Sequence, residues 1–443
     1  MVPPGTSREL FGTMLVLCAG ISIFWAPYIA AEQQASLSAN SKLFNIWIET
    51  RTPTYLEVFF FNITNVDDIL AKKDVVKIQV KEIGPYVFRE TSKKTNLTWN
   101  TNSTLTFYNQ RWWRFVPEKS VGLLSDKILN VNPILAALAY KKRHSSFFLQ
   151  MAINQVIAVL NKDIFLKANV SSLLFDGISD PIQEITKPFF HEPKKFAWFY
   201  NRNGSVEYDG SLTINTGATD LSQLGNVEAW RFSNRTAFRD ECGEVKGSTG
   251  ELWAPEYGQE EMSVFSPNLC SYLTLNKDRD VNIHGVDGVE YSANDVTFDN
   301  GHKNSHKACF CEEEDTSKCP VSGALNATNC RYPGPLFVSL PHFLHADPYY
   351  PSKIEGLNAT EDMNYKVVVD KKSGLPLSIR AQLQYNLLIR HVKDVPSTLD
   401  NTLPDADTLV PMFWFRETME TTPEYARLLQ TVMDSHVVLN NKM

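Results

Sequence analysis

The chain has 443 residues, 43% hydrophobic and 12% aromatic, which is ample for a packed core and unlike a disordered segment. It carries 43 basic and 50 acidic residues, for a formal net charge of −7, and no basic block stands out, so nucleic acid is not expected as a partner. The length suits two or three average domains or one large β-rich domain, and no internal repeat or low-complexity tract divides it.

The first element is LFGTMLVLCAGISIFWAPYIAA, residues 10–31, which holds 22 residues without a charge between Arg8–Glu9 and Glu32. At ~1.5 Å per residue a helix of that length crosses the ~30 Å hydrocarbon layer. A cleaved signal peptide has a shorter apolar stretch, about 7–15 residues, and a small residue three positions before the cut. A cut after Ala31 would place Ile29 there. An uncleaved transmembrane helix is therefore expected at 10–31, with residues 1–9 as a short cytosolic N-terminus and 32–443 as the body on the other side.

Asn-x-Ser/Thr acceptors stand at Asn62, Asn96, Asn102, Asn169, Asn203, Asn234, Asn326 and Asn358. One such triplet arises easily by chance. Eight, spread along the region after the apolar segment, point to a glycosylated body outside the cytosol. Six of the seven cysteines also follow that segment: Cys242, Cys270, Cys309, Cys311, Cys319 and Cys330, with Cys18 inside the expected anchor. An even number in an oxidising compartment reads as three disulfides, whose connectivity the spacing leaves open. A direct Cys309–Cys311 bridge would be strained, so each of these is expected to reach elsewhere. The competing reading is a metal site from His302, His306, Cys309 and Cys311. It would strand Cys319 and Cys330, and structural zinc sites pair cysteines about two to four residues apart. Cys-x-x-Cys redox chemistry has no motif here. The six are expected to be staples, without metal or cofactor.

Most of the body reads as short strands. TYLEVFFFNIT is continuously apolar and suits burial on both faces. DVVKIQVKEIG alternates, with Val76, Ile78 and Val80 on one side and Lys77, Gln79 and Lys81 on the other. LPLSIRAQLQYNLLI sets Ile379, Ala381, Leu383, Tyr385 and Leu387 against Ser378, Arg380, Gln382, Gln384 and Asn386, and with YKVVVD and the turn KKSG it completes a hairpin. Punctuated by Pro, Gly and Asn, these strands favour a mainly β fold with some α, an antiparallel barrel or sandwich.

Residues 131–178 differ. Asn132-Pro133 opens NPILAALAY, with proline in the first helical turn. SSFFLQMAINQVIAVLNKDIFLKA reads as a second helix, apolar around most of its circumference, and SSLLFDG as a shorter one. Between the first two stand Lys141, Lys142, Arg143 and His144. A helix apolar on most faces packs inside a bundle; alternatively, it forms an exposed apolar and basic apex that docks anionic, lipid-bearing partners.

FNIW at 44–47, FFFNITN at 59–65, EIGPYVFRE at 82–90, PLFVSLPHFLHADP at 335–348 and the order of the six cysteines together resemble the class B scavenger receptors, the family of fatty-acid translocase, high-density-lipoprotein receptor and lysosomal integral membrane protein types. The resemblance covers nearly the whole chain. It implies a large antiparallel β-barrel ectodomain with an internal hydrophobic tunnel and a helical apex, and the pairings Cys242–Cys309, Cys270–Cys330 and Cys311–Cys319. An apolar conduit would let a fatty acid, sterol or carotenoid leave its carrier without crossing water, which costs ~0.8 kcal/mol per methylene. The family's apex motif is matched by Phe148-Leu149-Gln150-Met151 and its ligand-docking lysine by Lys162. A second family lysine is replaced by Ile164, and Lys141, Lys142 and Arg143 are expected to supply that charge. Phe147 stands where hydrolase-carrying lysosomal members place histidine, with His144 one turn away. The family's second, C-terminal span has no counterpart in the closing TVMDSHVVLNNKM.

Two functions compete. The first is a plasma-membrane receptor that docks lipids or lipoprotein particles at Lys141, Lys142, Arg143, Phe147, Phe148, Met151 and Lys162 and passes lipid to the membrane. The second is a lysosomal or endosomal sorting receptor that binds a soluble protein through the same apex. Gly-x-Ser-x-Gly, His-Glu-x-x-His, phosphate-loop and dinucleotide motifs do not occur, and His342 and His345 in PHFLH are expected to be structural, so no enzyme is expected.

Overall fold

A computed structural model describes residues 36–49, 52–71, 77–143, 145–160, 164–186, 194–255, 258–311, 319–328, 330, 334–389 and 408–430. The expected anchor at 10–31, with Cys18, lies outside them, as do His144 and Lys162. Among the described residues no helix is long and apolar enough to cross a membrane.

The short helix α1 (Lys42–Trp47) is capped by Ser41, whose hydroxyl accepts from Phe44 N–H. The strands follow as β1 (Thr54–Ile63), β2 (Ile78–Trp99) and β3 (Thr104–Phe115). Next come β4 (Lys127–Val131), α2 (Pro133–Arg143), α3 (Phe147–Leu160) and β5 (Phe165–Asn169). β6 (Ser211–Asn215), β7 (Val227–Trp230), β8 (Glu261–Ser266), β9 (Ser271–Ile283) and β10 (Val286–Ser292) follow. The remainder are β11 (Ala324–Asn326), β12 (Leu336–Ser339), β13 (Ile354–Glu355), β14 (Lys366–Asp370), β15 (Pro376–Ile389) and β16 (Thr408–Glu420).

One 14-stranded sheet runs β7-β6-β3-β2-β1-β16-β15-β14-β10-β9-β8, with β12 also on β15, β11 on β12 and β13 on β2. Every pairing in it is antiparallel except β13 with β2. The free edges, β7 and β8, would be a template for unwanted pairing if left open. Residues 247–248 sew them together. Val227 N–H donates to Gly247 O (2.7 Å), Ser248 N–H to Ser263 O (3.0 Å) and Phe265 N–H to Ser248 O (2.7 Å). Gly247 sits at φ +88°, and a Cβ there would lie 2.4 Å from Ser263 O, so glycine is what lets the edges meet. The result is a nearly closed antiparallel barrel.

Over the described residues, which do not include Val76, the strand readings hold with one instructive exception. β1 is buried on both faces from Val58 to Phe61, and Ile78 and Val80 point inward while Gln79 and Lys81 are exposed. On β15, however, the polar side of the alternation is not solvated: Gln382, Gln384 and Asn386 are fully buried. β12 and the PHFLH segment cover that face and supply partners. Gln384 Oε1 accepts from His342 N–H (2.6 Å), Asn386 Nδ2 donates to Ser339 Oγ (3.1 Å), and Gln382 Nε2 donates to the carbonyls of Asp362 (2.8 Å) and Asn364 (2.9 Å). Amides given partners can be buried, although Gln382 Oε1 has none among the described residues; period alone does not say which face meets water.

The long helix expected over SSFFLQMAINQVIAVLNKDIFLKA is shorter. α3 ends at Leu160, and Phe165–Asn169 forms β5 against β4. The edge of β4 pairs with this segment through backbone hydrogen bonds, and tertiary context overrides the local helical pattern. Asn132 caps α2, its side-chain oxygen accepting from Ile134 N–H (3.1 Å), and SSLLFDG contains the expected helical turn, Ser172–Asp176.

Candidate functional site

The barrel interior begins from simple alternation. Glu90, Ser92 and Lys94 on β2, and Asn109 and Arg111 on β3, are spaced by two and share one face. Antiparallel register sets Lys94 opposite Asn109, and Glu417 comes onto the same face from β16. These side chains line a cavity of about 170 Å³, together with Trp47, Arg202, Asp209, Glu251 and the apolar Leu212, Phe265, Leu383 and Phe415. A through-going hydrophobic tunnel is not defined by the described residues.

Arg111 is the hub. Its Nη1 lies 3.2 Å from Glu90 Oε1 and 3.1 Å from Glu417 Oε1, and its Nε lies 3.9 Å from Asp209. Arg202 Nη2 holds Asp209 at 3.2 Å, and its guanidinium lies over the rings of Trp113 (5.1 Å) and Phe199 (5.5 Å). Lys94 pairs with Glu251 at 3.0 Å and sits 4.8 Å over Trp47. Glu90 accepts a further bond from Trp113 Nε1 (2.8 Å). Burial, reinforced by the nearby Glu417, nevertheless pushes the Glu90 carboxyl up to about 7, against the pull of Arg111. Burial works against the Arg111 charge, but Glu90 and Glu417 outweigh it and hold the guanidinium protonated well above its ordinary range.

A second network locks the PHFLH segment. His342 is buried, accepts from Asn358 N–H at Nδ1 (3.0 Å) and therefore donates from Nε2 to Glu82 (2.7 Å), which also accepts from Trp414 Nε1 (2.7 Å). Burial works to raise Glu82, but the bonds from His342 and Trp414 outweigh it and hold the carboxyl below its usual range. His345 lies 3.4 Å from Glu361.

The disulfides join Cys242 to Cys309, Cys270 to Cys330 and Cys311 to Cys319. His302, by contrast, belongs to a turn whose backbone N–H groups at His302, Lys303 and Asn304 donate to Asp299.

At the other candidate site, α3 divides into two faces. Ile153 and Ile157 are buried, whereas Phe147 is 69%, Phe148 82%, Met151 51% and Val159 79% exposed. One face of the helix is thus packed and the other carries exposed apolar side chains. Lys142 departs from the expected basic apex: it is only 4% exposed, because its position on α2 turns toward the protein rather than solvent. Lys141 is half-buried. Of the sugar acceptors, Asn96, Asn102, Asn203, Asn234 and Asn358 are exposed and Asn62, Asn169 and Asn326 half-buried.

The charged cavity was not read from the sequence. Arg111 and Glu417 are 306 positions apart, and nothing local in YNQRWWRF marks the arginine as inward-facing. Its only trace is the alternation of Glu90, Ser92 and Lys94 inside a β-rich stretch.

The described residues thus form a disulfide-stapled, nearly closed barrel with an internal cavity and a helix that turns apolar side chains to solvent. The chain belongs to the CD36 family, which it matches over residues 10–441. Scavenger receptor class B member 1 of Sus scrofa is 30% identical over 417 residues, covering 92% of this chain and 79% of that protein. Protein peste of Drosophila melanogaster is 29% identical over 401 residues, covering 89% and 71%. Lysosome membrane protein 2 of Homo sapiens is 26% identical over 419 residues, covering 93% and 84%.

Proposed function

We propose that this chain is a membrane-anchored scavenger receptor that docks lipid-bearing particles at α3 and passes lipid through the barrel to the membrane. Residues 10–31 anchor it, the eight acceptor asparagines carry glycans, and the body faces the cell exterior. The observation that carries the reading is the solvent-facing apolar stripe of Phe147, Phe148 and Met151. Exposed large apolar groups in a cluster mark a docking surface. The sequence also supplies Lys141, Arg143 and Lys162 as basic residues for anionic particles.

The test is uptake of labelled lipid by cells expressing the chain. Phe148→Ser together with Met151→Ser should leave surface level and unfolding midpoint unchanged, because both side chains already meet water, and should reduce particle binding about tenfold or more. Wild-type uptake at background would refute lipid delivery. The likeness to Lysosome membrane protein 2 favours a second reading, a lysosomal or endosomal sorting receptor. Retention of a soluble protein partner at the apex, with lipid uptake at background, would select it.

A further inference from the structure

Outside α3, the most exposed large apolar side chain among the described residues is Phe232, at 75%. It stands at the tip of a two-residue turn that follows β7. Trp230 N–H donates to Ser233 O (2.8 Å) and Ser233 N–H returns a bond to Trp230 O (3.0 Å), so Arg231 and Phe232 are the central pair. Both are left-handed, Arg231 at φ +51° and Phe232 at φ +61°. Such turns ordinarily take Asn-Gly, because a bulky side chain in the left-handed region crowds its own backbone. Arg231 gains a contact there, its guanidinium lying 4.6 Å over the Trp230 ring. Phe232 has no ring or cation contact among the described residues, so its phenyl group is held in water on a strained backbone.

Beside the ring lies a sugar acceptor. The run Phe232-Ser233-Asn234-Arg235-Thr236 places Asn234 two residues on, no more than about 7 Å of chain away. Asn234 is exposed, and its side-chain amide makes no hydrogen bond among the described residues. Its backbone, by contrast, is fixed. Val245 N–H donates to Asn234 O (3.0 Å), Thr236 N–H to Gly243 O (2.8 Å) and Arg235 N–H to Ser233 Oγ (3.1 Å). Ring and acceptor are thus held on one short, hydrogen-bonded piece of chain. An N-acetylglucosamine linked to Asn234 carries an apolar C–H face and an acetamido methyl group, and laying these on the phenyl ring takes apolar surface of both out of water. The exposed apolar residues of α3 differ in this respect: Phe147, Phe148 and Met151 have no acceptor nearer in sequence than Asn169.

We propose that Phe232 is a platform for the first sugar of the Asn234 glycan, and that the sugar stacked on it fastens the turn after β7 to the neighbouring segment 243–245. The occupant of this exposed ring is the chain's own N-acetylglucosamine. The proposal rests on the reading that the body is glycosylated outside the cytosol and is independent of lipid transfer.

The test uses the full chain from cells that make uniform high-mannose glycans. The folded protein is treated with peptide-N-glycosidase, and release at each acceptor is followed by mass spectrometry as conversion of asparagine to aspartate. Phe232→Gly should speed release at Asn234 about fivefold and leave the exposed Asn203 and Asn358 unchanged. Phe232→Trp, which keeps a flat aromatic face, should release as slowly as wild type. The unfolding midpoint gives a second readout. With the glycan removed by Thr236→Ala, Phe232→Gly should raise the midpoint, because glycine accepts the left-handed backbone. With the glycan present the same substitution should bring no rise, since the stacking is lost. Equal release at Asn234 in wild type and Phe232→Gly, release in Phe232→Trp as fast as in Phe232→Gly, or an equal midpoint shift in both backgrounds would overturn the proposal. So would a bare Asn234 in protein whose other acceptors are occupied. Sugar missing from all eight acceptors would refute the location reading itself, and the proposal with it.

Discussion

Glu90→Gln tests the charged cavity most directly, because the substitution mimics the protonated carboxyl without changing its shape. In the unfolded chain this side chain titrates near the ordinary value of 4.5; in the barrel, burial and Glu417 raise it to about 7. A raised acid binds its proton more tightly when folded. Stability is therefore greatest below the unfolded pKa and falls as pH rises from about 4.5 to about 7, levelling above that. The interval corresponds to a loss of roughly 3 kcal/mol at ~1.4 kcal/mol per unit. Glutamine escapes that loss, but its amide nitrogen cannot accept from Arg111 as Glu90 Oε1 does at 3.2 Å, a deficit of about 1 kcal/mol. The two stability curves should cross: the variant about 1 kcal/mol less stable near pH 4.5 and about 2 kcal/mol more stable near pH 8. Denaturant unfolding of the purified full chain, followed by tryptophan fluorescence with disulfides intact, measures the difference. Parallel curves from pH 4.5 to 8 would show that Glu90 is ionised throughout and refute the reasoning.

The disulfides should differ in weight. Replacing Cys242 and Cys309, 67 positions apart, by serine should cost about 4.4 kcal/mol by chain entropy, against about 2.5 kcal/mol for Cys311 and Cys319, 8 apart; equal shifts in unfolding midpoint would contradict this. His342→Ala should destabilise by about 2–4 kcal/mol, since it removes a bond to Glu82 and leaves Asn358 N–H without its acceptor. The stability that Glu82 gains from its lowered pKa is present above its ordinary range and lost as acid protonates it. The stability gap between wild type and variant should therefore narrow as pH falls and Glu82 is protonated, and a gap that stays constant into acid would argue against the pairing. Gly247→Val should open the seam between β7 and β8; since the added Cβ would lie 2.4 Å from a backbone oxygen, faster amide exchange at Val227 and Phe265 is expected, and unaltered protection there would show that the seam yields without cost.

Local pattern by itself determined a good deal. The uncharged run at 10–31, the spread of sugar acceptors and the cysteine count need no partner to be read, because each rests on composition along the chain. The inward faces of β1 and β2 follow from side-chain period, and the α2 start from Asn132-Pro133. The tertiary structure alone decided the rest. Gln382, Gln384 and Asn386 look solvated until β12 and PHFLH close over them. IFLKA looks helical until β4 offers it an edge. Lys142 looks like part of a basic surface until α2 packs. The charged cavity is the clearest case, since Arg111 finds Glu417 across 306 positions and Glu90 acquires its high pKa only when the barrel shuts water out. Periodicity says that a residue shares a face with its neighbours, but which face is buried, and what meets it there, depends on contacts between segments far apart in the chain.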